Sequence, residues 1–470
     1  MSPAVETGKF TFQMSLGGGI PPVMPAPASG DVRTVRLRLL PNGSQERKLR
    51  RLADVYARLW NEVNYVRRRQ FFEKGRVDLE TTYREFYYKY RGVLGINAQQ
   101  LLNMNNEAWT SFFKLLKERK EGRLPPFIRK VSPPGYWKDR LLGKRELMIV
   151  VRSDRYYLEP INGGEGYLVL KDFRMRIKYA GKIKWSGKQG RLVIKLEGDR
   201  WFAYVPVEVG KEPPKSNRRG KVRGVYDKIQ VKTPIGDEKA FVDIGLNNLF
   251  AVTTTSGKAV LVKGGAVKSE YYWWKRETAA WQSIRDKLRG WGLPTWRRYH
   301  VLYLKAQFKT RERLRHLYRT AVRFLAEHLW RLGVSEVYVG YPYMVSQDNG
   351  NEYNTNVWWY RKILGWLRDA FEEYGVKLYV VNEYGTSKRC SICGVVHENG
   401  RRYRGLFVCA KTGRQINADI NAALNIARKV GHNITVKEKI QSFLVTHNGV
   451  RPLIPPQGAN AQDPSVKPRP

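Results

Sequence analysis

Three carboxylates stand where polar side chains are out of place. Asp243 lies inside the apolar run Phe241-Val242-Asp243-Ile244-Gly245-Leu246. An aspartate in an apolar strand is costly unless a cation or hydrogen-bond donors satisfy it. Gly245 then lets the backbone run close to a neighbour or a ligand. Glu383 closes the run VKLYVVNE at 376–383, and the carboxyl ends of strands are where open sheets hold their sites. Asp419 opens the stretch INADINAALNIARK at 416–429, where Ile416, Ile420, Leu424 and Ala427 recur on one helical face. Asp419 alone also reads as a helix-start acid favoured by the macrodipole, and Glu383 alone as a solvated strand-end residue. Together they suit phosphodiester hydrolysis. That chemistry uses two divalent cations roughly 3.5–4 Å apart, and magnesium prefers carboxylates and water. One segment cannot surround two ions, so the ligands must come from separate elements.

The three cysteines, Cys390, Cys393 and Cys409, share one short window, and two of them form a Cys-x-x-Cys pair. An odd, clustered set argues for metal in a reducing cytoplasm rather than a disulfide frame. Charge narrows the partners. The 470 residues carry 85 Lys plus Arg against 42 Asp plus Glu, a formal charge of +43. Such a chain repels itself unless an anion offsets the field, and nucleic acid is the usual anion because neutralised phosphates release counterions. Residues 1–30 lack the basic start and apolar core of a signal peptide. No apolar run approaches the ~18 residues of a membrane span. A cytoplasmic protein without a membrane partner is expected.

Elements must position these groups. Residues 1–32 read as a disordered arm. TVRLRLL (34–40) alternates as a strand does, and Ser44 after it suits a helix N-cap. Leu49, Leu52, Tyr56, Leu59, Val63 and Val66 then mark one face of a long helix, with Arg47, Lys48, Arg50, Arg51 and Arg58 opposite. The region 45–120 is helical, basic and aromatic. Its basic faces suit phosphates, while Trp60, Tyr65, Trp109 and Phe112 at helical spacing read more readily as core. Residues 145–210 read as strands, with the Gly198-Asp199 pair as a hairpin turn. The strand at 34–40 could join them in one small barrel, with the helices inserted between. A Pro/Gly/charge-rich linker follows at 211–224. Beyond it come strands at 239–262, a helix at 301–332 bearing His328 as a packed core histidine, a strand at 336–343, a helix at 357–373, the strand ending at Glu383, the cysteine window and a last helix. The stretch 271–282, YYWWKRETAAWQ, suits core and nucleic acid equally. That alternation makes a mixed α/β layer. The tail after His432 shows no clear periodicity.

These residues resemble the TnpB proteins of insertion sequences and the related compact type V CRISPR nucleases, over about residues 33–430. The stretch RLRLLPNGSQERKLRRLADVYARLWNEV is similar to the family's opening strand and first helix. AWTSFFKLLKERKEGRLPPFIRK resembles a helix followed by a basic segment. FVDIGLNNLFAVTTTSG looks like the first RuvC motif, EYGTSKRCSICG like the zinc-knuckle entry and ADINAALNIARK like the third RuvC motif. The resemblance implies a bilobed, multidomain α/β and β protein. It implies a strand-rich wedge barrel at 33–44 and 121–212, a helical recognition domain at 45–120 and a linker at 213–235. An RNase H-like RuvC nuclease domain follows at 236–383 and 416–432, interrupted by a zinc-knuckle, target-nucleic-acid-binding insertion at 384–415. A flexible tail occupies 433–470.

The implied activity is RNA-guided DNA endonuclease, Mg²⁺-dependent, cutting double-stranded target DNA and its displaced single strand beside a short flanking motif. Base pairing by the guide RNA supplies most of the sequence choice. Asp243 and Asp419 match the first and third catalytic acids. The second acid of most relatives falls near Gly340 or Tyr341, and neither is acidic. Glu336 lies at the wrong end of that strand and Glu352 in a polar loop. The second carboxylate is therefore expected to have moved to Glu383, with Asp243 bridging both ions. The alternatives are a nuclease-inactive guided DNA-binding regulator and a CRISPR effector of the same chemistry. The knuckle departs too. Its second pair reads Cys409-Ala410-Lys411-Thr412, and threonine is a poor zinc ligand. His397 could complete a tetrahedral Zn²⁺ site with Cys390, Cys393 and Cys409; a knuckle held by packing alone is the alternative.

Overall fold

The computed structural model describes residues 32–124, 130–137, 147–162, 164–183, 187–209, 232–289, 294–341, 357–397, 399–401, 403 and 405–453. The arm at 1–31, most of the linker, Glu352 and residues 454–470 lie outside them. The chain forms two compact units, one holding the described residues up to 209 and the other those from 232 onward.

The first unit runs β1 (Val32–Leu40), α1 (Gly43–Lys74), α2 (Leu79–Leu94), α3 (Asn97–Lys120), β2 (Met148–Val151), β3 (Tyr156–Asn162), β4 (Glu165–Leu170), β5 (Met175–Ala180), β6 (Gly187–Gln189), β7 (Leu192–Glu197) and β8 (Arg200–Val209). Alternating burial on β1 puts Val35, Leu37 and Leu39 into the core. It pairs antiparallel with both β5 and β8, so the three helices are an insertion after a central strand. Pairing runs β2-β7-β8-β1-β5-β4-β3, with β6 beside β8; among the described residues β2 and β3 do not pair to close a barrel. The Gly198-Asp199 turn joins β7 to β8 as a two-residue hairpin, with Glu197 opposite Arg200. The helix start differs from expectation. Asn42, not Ser44, caps α1, because Asn42 accepts from the Gln45 backbone N–H while the Gln45 side chain returns to the Asn42 N–H. Buried Arg67 ties the helices together through Thr82, Leu79 and Asn105. Trp60, Trp109 and Phe112 are core residues, whereas Tyr65 is exposed.

The second unit runs β9 (Glu238–Asp243), β10 (Asn248–Thr254), β11 (Ala259–Lys263), α4 (Gly265–Lys287), α5 (Pro294–Arg331), β12 (Val334–Tyr341), α6 (Tyr360–Glu373), β13 (Lys377–Asn382), β14 (Leu406–Val408), β15 (Gln415–Asn417), α7 (Ala418–Lys429), β16 (Gln441–Thr446) and β17 (Gly449–Pro452). Its seven-stranded sheet has the order β13-β12-β9-β10-β11-β16-β17. The β9–β10–β11 meander is antiparallel, while β12 and β13 add in parallel on the β9 side. The parallel additions need crossovers, and α5 and α6 supply them. Helix α4 carries the 271–282 stretch, with Tyr271 and Trp274 buried and Tyr272 and Trp273 exposed.

Residues after 432 were expected to form a flexible tail. Instead β16 pairs in parallel with β11, and β17 folds back antiparallel on β16. Phe443 packs on Phe324 and on His328, whose imidazole burial holds below its ordinary pKa. The short strands and the Thr446–Gly449 turn leave too few alternating apolar positions to stand out in the sequence.

Candidate active site and candidate metal centre

Asp243 does not interrupt a strand: it is the last residue of β9, preceded by fully buried Ala240, Phe241 and Val242. Next to it, Val339 of β12 registers with Val242, so Gly340 lies level with Asp243. Gly340 registers in turn with Val381 of β13, and Tyr341 with Asn382. Glu383 follows directly. The strand ends β9, β12 and β13 thus place Asp243 and Glu383 on either side of Gly340.

The space at Gly340 is already taken. A Cβ built there would lie 2.9 Å from Glu383 Oε2 and 2.7 Å from Ile426 Cδ1. The carboxylate of Glu383 therefore fills the volume that a side chain at position 340 would need. Tyr360 of α6 donates its hydroxyl to the Gly340 carbonyl. Burial, then the charges of Glu383 and Asp243, push that hydroxyl well above its usual pKa, which keeps it a donor.

Asp419 arrives on α7, which packs on the sheet face that Phe241 and Val381 present. Asn417 caps this helix by accepting from the Asp419 and Ile420 N–H groups. Ile420 and Leu424 pack on Ala251, Ala259 and Leu261, while Ile426 and Ala427 pack on Phe241 and Val381. The Asp419 carboxylate is buried and held at both oxygens. Asn248 Nδ2 donates to Oδ2 at 2.6 Å, and Arg401 donates to Oδ1 at 2.8 Å. Gly245 serves the first contact: a Cβ there would come 2.8 Å from the Asn248 carbonyl oxygen, so the tight β9–β10 turn that delivers Asn248 needs glycine.

Electrostatics ties the three acids into one cluster. The Asp243 carboxyl is held well above its usual range, first by burial and then by the charges of Glu383 and Asp419, with Arg401 opposing. Burial lifts Glu383 to about 7, against the pull of the Lys429 ammonium. Glu383 Oε2 and Asn248 Oδ1 are buried, and among the described residues neither has a hydrogen-bond partner. A buried carboxylate oxygen without a donor is costly as an anion. A divalent cation would satisfy it and neutralise the crowding, and an all-oxygen donor set matches magnesium.

Cys390, Cys393, His397 and Cys409 form a second cluster, their ligand atoms all within 4.8 Å of one another. His397 Nε2 lies 3.2 Å from Cys393 Sγ and 3.7 Å from Cys409 Sγ. These separations bracket the roughly 3.5 Å edge that zinc–sulfur and zinc–nitrogen bonds of ~2.3 and ~2.0 Å make in a tetrahedron. The two cysteine turns have the same backbone. Gly394 N–H bonds the Cys390 carbonyl and Gly413 N–H the Cys409 carbonyl, and both glycines are left-handed, at φ 77° and 69°. Thr412 occupies the corner matching Cys393. Its hydroxyl is the main influence pulling the Cys409 thiol down to about 5, ahead of His397. The donor set and spacing fit zinc.

Glu336 is elsewhere: it bonds Tyr338 and Tyr379 and pairs with Lys239. Sequence reasoning missed Asn248, Arg401 and Lys429. The first has a signal, a polar pair after Asp243-Ile-Gly; the other two are single basic residues in a basic chain, and only the fold distinguishes them.

A family model described as "Probable transposase" matches residues 204–346, which include Asp243, Asn248 and Gly340. The TnpB-like protein ORF457 of Acidianus two-tailed virus is 44% identical over 429 residues, covering 90% of this chain and 92% of that protein. The chain belongs to the TnpB-like family. A second model, described as "Cas12f1-like, TNB domain", matches residues 360–426, so this family segment spans Tyr360, Glu383, the cysteine cluster and Asp419. The CRISPR-associated endodeoxyribonuclease Cas12f1 of Sulfoacidibacillus thermotolerans is 36% identical over 81 residues, 17% of this chain and 19% of that protein. Among solved structures, a chain of the Cas12f1–sgRNA–target DNA complex aligns over 81% of this chain and 82% of that one, at a TM-score of 0.48 and 13% identity.

Proposed function

We propose that this TnpB-like chain is an RNA-guided DNA endonuclease of the type V lineage, cutting guide-matched DNA beside a short flanking motif. Its centre is the carboxylate cluster of Asp243, Glu383 and Asp419. The observation that supports this reading is that Glu383 fills the volume at Gly340, level with Asp243, while the charges of Glu383 and Asp419 both act on the buried Asp243 carboxyl. A carboxylate missing from one strand end is supplied by its neighbour.

In this reading the second unit is an RNase H-like RuvC nuclease, with 384–415 as its zinc-held insertion. The strands and helices of the first unit hold guide RNA and heteroduplex. Magnesium, when bound, supplies an activated water and charge neutralisation for in-line attack on a phosphodiester. Asp243, central in the cluster, would contact both ions, and Glu383 and Asp419 one each. Asn248 keeps Asp419 aimed at the pocket. Arg401, reaching Asp419 from the insertion, offers a guanidinium to the anionic substrate beside the acids. Thr412 and His397 hold the insertion's thiolates.

Cleavage of a guide-matched plasmid in Mg²⁺ tests this. Asp243→Ala, Glu383→Ala and Asp419→Ala lose cutting and keep guided binding; Glu336→Ala and Glu352→Ala remain active. Normal cutting by Glu383→Ala, with Glu352→Ala dead, defeats the assignment. Guided binding by the wild type with no cleavage turns the reading to an inactive regulator.

A further inference from the structure

Glu383 lies one residue beyond its strand, so the parallel ladder does not hold it. Its own N–H reaches the Tyr341 carbonyl at only 3.4 Å. Something else must fix a side chain that fills a volume where 2.9 Å decides a clash. The backbone around it shows what does. Lys429 Nζ donates to the Asn382 carbonyl at 2.9 Å and to the Tyr384 carbonyl at 2.6 Å. Between them, the Glu383 carbonyl accepts from the Thr386 N–H at 3.0 Å and from the Thr386 hydroxyl at 2.8 Å. Tyr384 N–H closes on the Asn382 side chain at 2.9 Å. Three consecutive carbonyls are thus satisfied, two of them by one ammonium.

Resting on the reading of Glu383 as a metal ligand, we propose that Lys429 is a positioning residue for it. By bridging the carbonyls on both sides of Glu383, Lys429 aims that carboxylate into the Gly340 volume. A lysine in the last turn of a helix is ordinarily explained by the macrodipole or by solvent. Here its ammonium instead reaches two carbonyls of another segment. The same helix carries Asp419 in its first turn, about 15 Å away at 1.5 Å per residue. Along the intervening face Asn421 and Asn425 hold the Arg389 and Thr386 carbonyls. One rigid helix therefore sets two acids that are separated in sequence.

The test uses the full chain with its guide RNA, in four forms: wild type, Lys429→Met, Lys429→Arg and Glu383→Ala. Cleavage rates are measured across magnesium concentration, beside guided DNA binding and the melting temperature in EDTA. Lys429→Met keeps length and loses both donors. It should cut about 100-fold slower, the scale of an ångström-level misplacement. It should also need several-fold more magnesium for half-maximal rate, while binding and melting stay near wild type. Lys429→Arg, which can still bridge two carbonyls, should recover most of the rate. Wild-type cutting by Lys429→Met at limiting magnesium overturns the inference if Glu383→Ala is dead. Loss of folding or guided binding in Lys429→Met, or no recovery with arginine, also overturns it, because Lys429 would then be a general structural contact. Normal cutting by Glu383→Ala brings down the assignment of Glu383 itself, and this inference with it.

Discussion

Glu383→Gln should stabilise the protein while removing its activity. Burial lifts this carboxyl from 4.5 to about 7, so ionising it inside the metal-free fold costs about 3 kcal/mol at roughly 1.4 kcal/mol per pH unit. The sign follows from proton counting. Below pH 4.5 the group is protonated in folded and unfolded chains alike, and its stabilising share is intact. As pH rises, the unfolded chain releases the proton first, and that share is lost progressively until pH passes about 7. Glutamine carries no such penalty, and its neutrality also relieves Asp243, whose raised pKa has Glu383 as its largest charge contribution. Denaturant unfolding of the RNA-free protein in EDTA, from pH 5 to 8, is the assay. The variant should exceed wild type by no more than about 1 kcal/mol near pH 5 and by about 3 kcal/mol at pH 8. Magnesium should reverse the order at pH 8, since only the wild type presents the ionised ligand. A variant at or below wild-type stability at pH 8 in EDTA, or a pH-independent difference, refutes the reasoning that burying this carboxyl stores an ionisation cost for metal to relieve.

Gly340→Ala should cut far more slowly with little change in fold, because the nearest atoms its methyl meets belong to the side chains of Glu383 and Ile426 and not to backbone; plasmid cleavage and circular dichroism check this. Gly340→Glu should be dead alone, and paired with Glu383→Gly should regain part of the rate in the same assay. Elemental analysis should find one zinc per chain, lost with His397→Ala or Cys409→Ser, and the loss should lower the melting temperature by several degrees because zinc binding is folding energy. Asn248→Ala, which frees one Asp419 oxygen, should lower the cleavage rate about 10- to 100-fold, as outer-shell partners of metal ligands do.

Much of the candidate site was legible from types and spacing. An aspartate after three core residues, a glutamate closing an apolar strand and an aspartate opening an Ala/Ile/Leu helix each break a local rule, and such breaks are readable. The cysteine window was readable for the same reason, including His397. Long amphipathic stretches such as α1 and α5 were visible because a buried face repeats over many turns. The helix over 265–287 was harder, since aromatics crowd both its faces, and β16 and β17 were missed because they are edge additions of four to six residues. That β1 joins the later strands across three inserted helices was anticipated, but its particular partners, β5 and β8, have no local signature. The same holds for Arg401 and Lys429, whose roles depend on where a distant segment passes.

On the proposed reading, positions 340 and 383 illustrate how a metal site survives the loss of an expected ligand. A carboxylate is needed at a point in space, not at a point in the chain, and two parallel neighbouring strands offer two routes to it. Gly340 and Glu383 belong to adjacent strand ends in fixed register, so their side chains compete for one volume. Only one of them can be large. If the acid comes from β12, residue 383 must stay out; if it comes from beyond β13, residue 340 must be small. The second route is longer and leaves the ladder, so it demands its own backbone support, which Lys429 and Thr386 provide. The glycine, the glutamate and the lysine are therefore one device. Changing the glycine or the lysine alone should cost activity while leaving the fold, because the sheet and α7 are held by other contacts.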